Sequence, residues 1–141
     1  MFCLTKNKLL VVVSLVLLSA FAVASRPRKT LRVPTGLWGG VHIQMDVTQN
    51  SATIEYDCAS GTIDVPLTTD SRGRFNWRGT HKHEAGGPIR LGRLPKSLPA
   101  IFTGSVKGDT MIVTVKLTGT NEVVGTYTLK RGSAGRVFKC R

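Results

Sequence analysis

His81-Lys82-His83-Glu84 sets two imidazoles two residues apart with a carboxylate beside them. On a strand, residues two apart point to the same side, so both rings can face one site. Neutral imidazole is a good ligand for zinc, copper or nickel, and Glu84 or His42 can supply a third. A catalytic zinc needs three protein ligands and an open position. The spacing therefore allows a zinc or copper centre on His81, His83 and Glu84. It equally allows a solvated strand end leading into a loop. His42 alternates with Val41, Ile43 and Met45, which places it on a wet face unless Gly39-Gly40 host a bulge.

The second chemical feature is charge. The chain carries 20 Lys and Arg against 8 Asp and Glu, a formal charge of +12. Arg72 to Lys96 concentrates it: Arg74, Arg78, Lys82, Arg90, Arg93 and Lys96 face Glu84 alone among acids. Such a field favours anionic partners. Phe75 and Trp77 interleave with the arginines, and aromatics between cations can clamp anionic polymers. Strand parity turns those rings toward the core instead, leaving the cations as either a polyanion-contact surface or a solvated face.

Catalysis finds little support. No serine sits in a strained-turn motif, the scattered acids show no acid-base pair, and Gly86-Gly87-Pro88 is a turn signal without a following helix. The residues read as a binding protein and not as an enzyme.

The first 24 residues bear on location. Lys6 and Lys8 precede an apolar run from Leu9 to Ala24, and Ala22-Val23-Ala24 supplies small residues at its end. This is the pattern of a secretory signal peptide. At 16 residues the run falls short of the roughly 20 that span a bilayer as a helix. Cleavage near Ala24 would leave 117 of 141 residues and remove two positive charges, so the domain stays at +10. The expectation is a secreted or periplasmic protein, meeting no intracellular nucleic acid and keeping no membrane span. Its partner would be an anionic surface polymer or a small ligand. In an oxidising compartment the remaining cysteines, Cys58 and Cys140, are expected to pair.

These features need a scaffold, and the pattern for one has period two. Val41, Ile43, Met45 and Val47 alternate with polar residues, as do Ala52, Ile54, Tyr56 and Cys58, then Ile63, Val65 and Leu67. Each predicts a strand with one buried face. Phe75 and Trp77 begin a fourth, which can run on to His83 although Gly79 can bend it. Phe102 to Val106, Met111 to Leu117, Val123 to Leu129 and Val137 to Cys140 complete eight. Turns are expected at 49–51, 59–61 and 70–73, and an irregular loop from Glu84 to Pro99. Ser25 to Thr35, basic and holding two prolines, reads as a flexible lead-in to a single domain over residues 36–141.

Short sequential strands predict an all-β fold: a small antiparallel up-and-down β-barrel of about eight strands, closure removing the exposed edges. A two-sheet β-sandwich is the alternative. In the barrel a bridge between Cys58 and Cys140 could link the second strand and the last from inside, across the interior or at one end.

Gly36-Leu37-Trp38 before an up-and-down meander resembles the opening of lipocalin-type barrels. That resemblance implies a Trp packed across a closed end. The chain is shorter than a typical lipocalin and lacks the C-terminal helix. It also resembles small exported bacterial proteins of unassigned function. These share a Trp-Gly-Gly-x-His opening (Trp38 to His42), an aromatic-Asp-Cys-Ala-x-Gly turn (Tyr56 to Gly61), a Gly-Gly-Pro loop (Gly86 to Pro88) and a Thr-Leu-x-Arg-Gly ending (Thr128 to Gly132). The resemblance implies a family and no activity.

Three functions remain open on the sequence. One is a non-catalytic binding module for a small ligand or anionic polymer. Another is a metal-binding protein or metal-dependent enzyme at the His-x-His-Glu segment. The third is a secreted inhibitor or interaction module presenting the long loop.

Overall fold

The structure, a computed structural model, describes residues 27–87, 92 and 95–140. The leader expected over residues 1–24 lies outside them. No helix of the described residues is long and apolar enough to cross a membrane.

Ten strands follow in order: β1 (Leu31–Arg32), β2 (Gly36–Gly40), β3 (Ile43–Val47), β4 (Ala52–Tyr56), β5 (Ala59–Ile63), β6 (Thr68–Thr69), β7 (Arg74–His83), β8 (Ser97–Lys107), β9 (Thr110–Leu117) and β10 (Val123–Arg131). Eight of them close an antiparallel barrel in the order β10-β2-β3-β4-β5-β7-β8-β9. The barrel and its strand count match the expectation from period-two patterning. The strands chosen differ at both termini. Gly36–Gly40 is a strand in its own right, which its glycine content conceals, and it is the one that closes the barrel. Residues 137–140 form no strand; the tail makes one isolated parallel bridge, Val41 to Arg136.

Two further differences follow from local geometry. Ala59-Ser60-Gly61 is not a turn but the start of β5, because Asp57-Cys58 completes the reversal with Cys58 at φ 55°. The strand expected from Ile63 to Leu67 instead ends at Ile63, and Val65 is exposed. At Gly79, β7 runs on without a break to His83, the continuation its pattern allows. That glycine points inward, where a Cβ would meet the Phe102 ring at 2.9 Å.

Inside the barrel, alternate residues supply one continuous core. Trp38, Ile43, Met45, Tyr56, Phe102, Met111, Val113 and Leu129 are fully buried. Phe75 and Trp77 lie inward, as their parity predicts, stacked at 3.7 Å. At this scale side chains fill a barrel.

The two ends are unlike. At one, the last residues of the lead-in expected to be flexible are paired. Leu31–Arg32 pairs with Thr68–Thr69, and the Val33 N–H donates to the Leu67 carbonyl at 2.9 Å. Val33 and Leu67 join the core there. Trp38 Nε1 donates to Pro34 O and Trp77 Nε1 to Thr68 O, so two buried indoles are matched to this cap. At the other end no such cap exists among the described residues. His83 and Leu98, inward by register, are solvent-exposed there.

Candidate functional site

The open end collects the polar residues that sequence reasoning singled out, and distributes them differently. His81 lies on the inner face of β7 and is buried, 6% exposed. His83 shares its side but stands at the rim. Glu84 turns outward to Lys139, with Nζ to Oε2 at 3.8 Å. His42 sits in the β2–β3 turn at φ 67° and directs Nδ1 at Asp57 Oδ2, 2.5 Å away. Among the described residues, no group of three His, Cys, Asp or Glu side chains is gathered as a metal would need. Two of the four residues of the proposed centre are thus drawn to separate partners, Glu84 to Lys139 and His42 to Asp57.

Below the rim, three rings form a row: Tyr127 of β10, Tyr56 of β4 and His81 of β7. Successive centroids are 5.6 Å apart. Burial raises the Tyr56 phenol far above its ordinary range, with the Tyr127 charge adding to the effect. Burial also raises Tyr127, and Asp57 contributes. For His81, burial lowers the pKa first and His83 second, while Glu122 opposes them. Tyr56 Oη and His81 Nδ1 are buried without a hydrogen-bond partner. The sequence reading missed Tyr56 and Tyr127, since alternation marks them only as core.

Cys58 and Cys140 form the disulfide, 4.9 Å between Cα atoms and 82 residues apart. It lies outside the barrel, which corrects the expected link from inside. Cys58 belongs to the β4–β5 turn, and Phe138 beside Cys140 is 64% exposed. The tail crosses the turns at this end. His42 N–H donates to Arg136 O at 2.8 Å, and Cys58 N–H to Phe138 O at 3.2 Å. Both donors are non-glycine residues in the left-handed region, a conformation sustained by surrounding contacts. Lys139 Nζ also reaches Glu55 Oε2 at 3.6 Å.

The basic residues separate into two groups. Arg74, Arg78 and Lys82 occupy alternate outward positions of β7, with Asn76 and Thr80 between them. Across the sheet, Arg78 registers with Ile101 and Ile101 with Lys116, so Lys116 of β9 joins the same outer face. Arg74 is engaged by Asp70, its Nε 3.0 Å from Oδ2. Backbone N–H groups of Arg74 and Arg72, led by that of Arg74, hold the Asp70 carboxyl below its ordinary value. Arg78, Lys82 and Lys116 make no ion pair among the described residues. Lys96 is exposed just before β8, while Arg90 and Arg93 lie outside the described residues. Beside Lys82, a shallow groove on the outer face is lined by the polar residues Thr53, Glu55, Ser60, Thr62, Thr80 and Ser97.

Of the outward acids, Asp46 on β3 stands opposite β8 in the ring, whereas Glu55 on β4 registers with Ser60 and Ser60 with Lys82, so Glu55 borders the same groove as Lys82. Comparison with protein-family models, curated proteins and solved structures finds no match to this chain.

Proposed function

We propose that this protein is an exported, non-catalytic binding module that holds an anionic polymer of the exterior against the outer face of β7–β9. The observation that carries this reading is the set of unpaired cations on that face. Arg78, Lys82 and Lys116 project from it without ion-pair partners among the described residues, while Glu55, the acid beside the groove, is drawn to Lys139 at 3.6 Å. Unpaired cations on a rigid sheet keep their full field for a partner, and the hydroxyl-lined groove beside Lys82 offers donors to polymer oxygens.

Export is supported by the apolar leader in the sequence and by the disulfide, a bond that persists in oxidising compartments. The packed apolar core leaves a polymer only the outer wall to bind. The expected behaviour is retention on dextran sulfate beads at low salt, release before about 1 M salt, where screening shortens to about 3 Å, and no retention on neutral dextran. Retention that is equal on both matrices, or indifferent to salt, contradicts the proposal.

A further inference from the structure

The row Tyr127–Tyr56–His81 is a second feature, separate from the basic face and pointing into the barrel. Tyr56 is 1% exposed and His81 is 6% exposed, yet Tyr56 Oη and His81 Nδ1 have no hydrogen-bond partner. Leaving a buried polar group unmatched costs about 1–3 kcal/mol. Phenylalanine at both positions would fill a core without that cost. Nearly all the remaining inward residues of this barrel are apolar, and the buried indoles of Trp38 and Trp77 are matched to carbonyls at the capped end. Among the described residues, the two unmatched groups therefore stand side by side toward the end at which those residues form no cap.

Their placement is specific. β4 and β7 flank β5, and the β5 residue between them is Gly61, in register with Ile54 and His81. A Cβ at Gly61 would approach the Tyr56 ring at 3.5 Å and the Thr80 carbonyl at 2.7 Å. The missing side chain lets the two rings face each other across β5. Leu98, directly opposite His81 in register, and His83, one step outward, are inward and exposed, so solvent reaches the level of His81. Tyr127 is partly exposed and turns its hydroxyl back over Gly125.

The geometry points to a binding site in this mouth of the barrel, where the described residues form no cap, for a small neutral molecule, its hydroxyl or carboxamide hydrogen-bonded to Tyr56 Oη and His81 Nδ1 and its flat apolar body against Tyr127. Burial keeps the phenol protonated and the imidazole neutral, so the pair offers no charge to match an ion. His83 and Glu122 are the charged or titratable groups acting on His81 from outside the row. A neutral hydroxyl or amide can both donate and accept, which suits a phenol beside an imidazole whose tautomer is free to adjust. Ligand sites of this kind favour barrel mouths, with apolar walls and few convergent polar groups.

The test is titration of the full chain with phenol, benzamide and cyclohexanol, followed by two-dimensional NMR. The expected result is saturable shifts from at least one probe, centred on Tyr56, His81 and Tyr127. Each of Tyr56→Phe and His81→Phe weakens binding about tenfold or more, the equivalent of one lost hydrogen bond of about 1.4 kcal/mol. Tyr56→Phe leaves thermal stability equal or higher, because it removes an unmatched hydroxyl. No saturation by any probe, undiminished binding in both variants, or a clear fall in stability with Tyr56→Phe overturns the inference. The last result would mean that the hydroxyl is already satisfied by a resident water. Charge reversal at Lys82 and Lys116 leaves this binding unchanged, so it can fail or succeed independently of the polymer reading.

Discussion

Cys58 is joined to Cys140 twice over: by the disulfide itself, and by its own N–H, which reaches the carbonyl of Phe138 two residues earlier in the tail. The tail is thus fixed to the β4–β5 turn. On the way there it passes the short seam where the barrel closes. β10 meets β2 through only Lys130–Gly39 and Arg131–Trp38. Residues 133–135 lie over Gly39 so closely that a Cβ there would collide with their backbone. The disulfide and the tail together stabilise the weakest junction of the barrel.

Replacing both cysteines by alanine is expected to lower stability by about 2–4 kcal/mol while the barrel persists on its buried core. Amide exchange should rise first in the tail and at the β10–β2 seam. Equilibrium denaturation of the variant, beside exchange by mass spectrometry, checks both. An unchanged midpoint would show that the tail contributes nothing to closure.

Gly39→Val is expected to displace residues 133–135, since the obstructing atoms are backbone and cannot rotate away. The loss should approach that of the disulfide variant, and the two should be non-additive because they act on one seam. A double-mutant cycle measures this; full additivity would separate the tail from the seam.

Phe102 lies at the centre of the barrel, between inward Gly61 and Gly79. Phe102→Ala should cost about 3–5 kcal/mol, because glycine neighbours cannot collapse to fill the space. Urea denaturation reports it. A loss below about 1 kcal/mol would mean that the interior is not packed around this ring.

His81 makes stability depend on pH. Its folded pKa lies below the ordinary 6.5, held there mainly by burial. The unfolded chain therefore takes up its proton at higher pH than the folded one. The contribution is complete above about 6.5 and is lost as pH falls through that value toward the folded pKa. The melting temperature of the wild type should decline below pH 6.5, and His81→Phe should reduce that decline. Identical pH profiles would show that His81 is not held neutral.

Much of this architecture is legible in the alternation of residues such as Met111, Val113 and Val115, whose period of two needs only a core on one side. Gly36–Gly40 was not, because glycines carry no pattern. It is a strand whose partners, and not its own side chains, define it. The last four residues mislead in the opposite sense: Val137 to Cys140 alternates like a strand, yet the disulfide and the turn N–H groups hold it as an outer strap. At the candidate site, His81 and His83 do share a side, as strand geometry requires. What sequence spacing omits is the long-range partner: Asp57 for His42, Lys139 for Glu84. The Tyr56–His81 pair was equally hidden, since an alternating tyrosine looks like core until its hydroxyl is found unmatched.

Charge reversal tests the central claim most directly. Arg78→Glu, Lys82→Glu and Lys116→Glu together, compared with a control of equal net charge bearing Arg28→Glu, Arg32→Glu and Arg136→Glu, should be measured for affinity to dextran sulfate at 0.1 M salt. Binding through the β7–β9 face predicts that the first variant loses affinity about a hundredfold or more, at roughly 1 kcal/mol per charge removed, and the control far less. Equal losses in the two variants would show that only net charge matters, and the face assigned to the polymer would be contradicted.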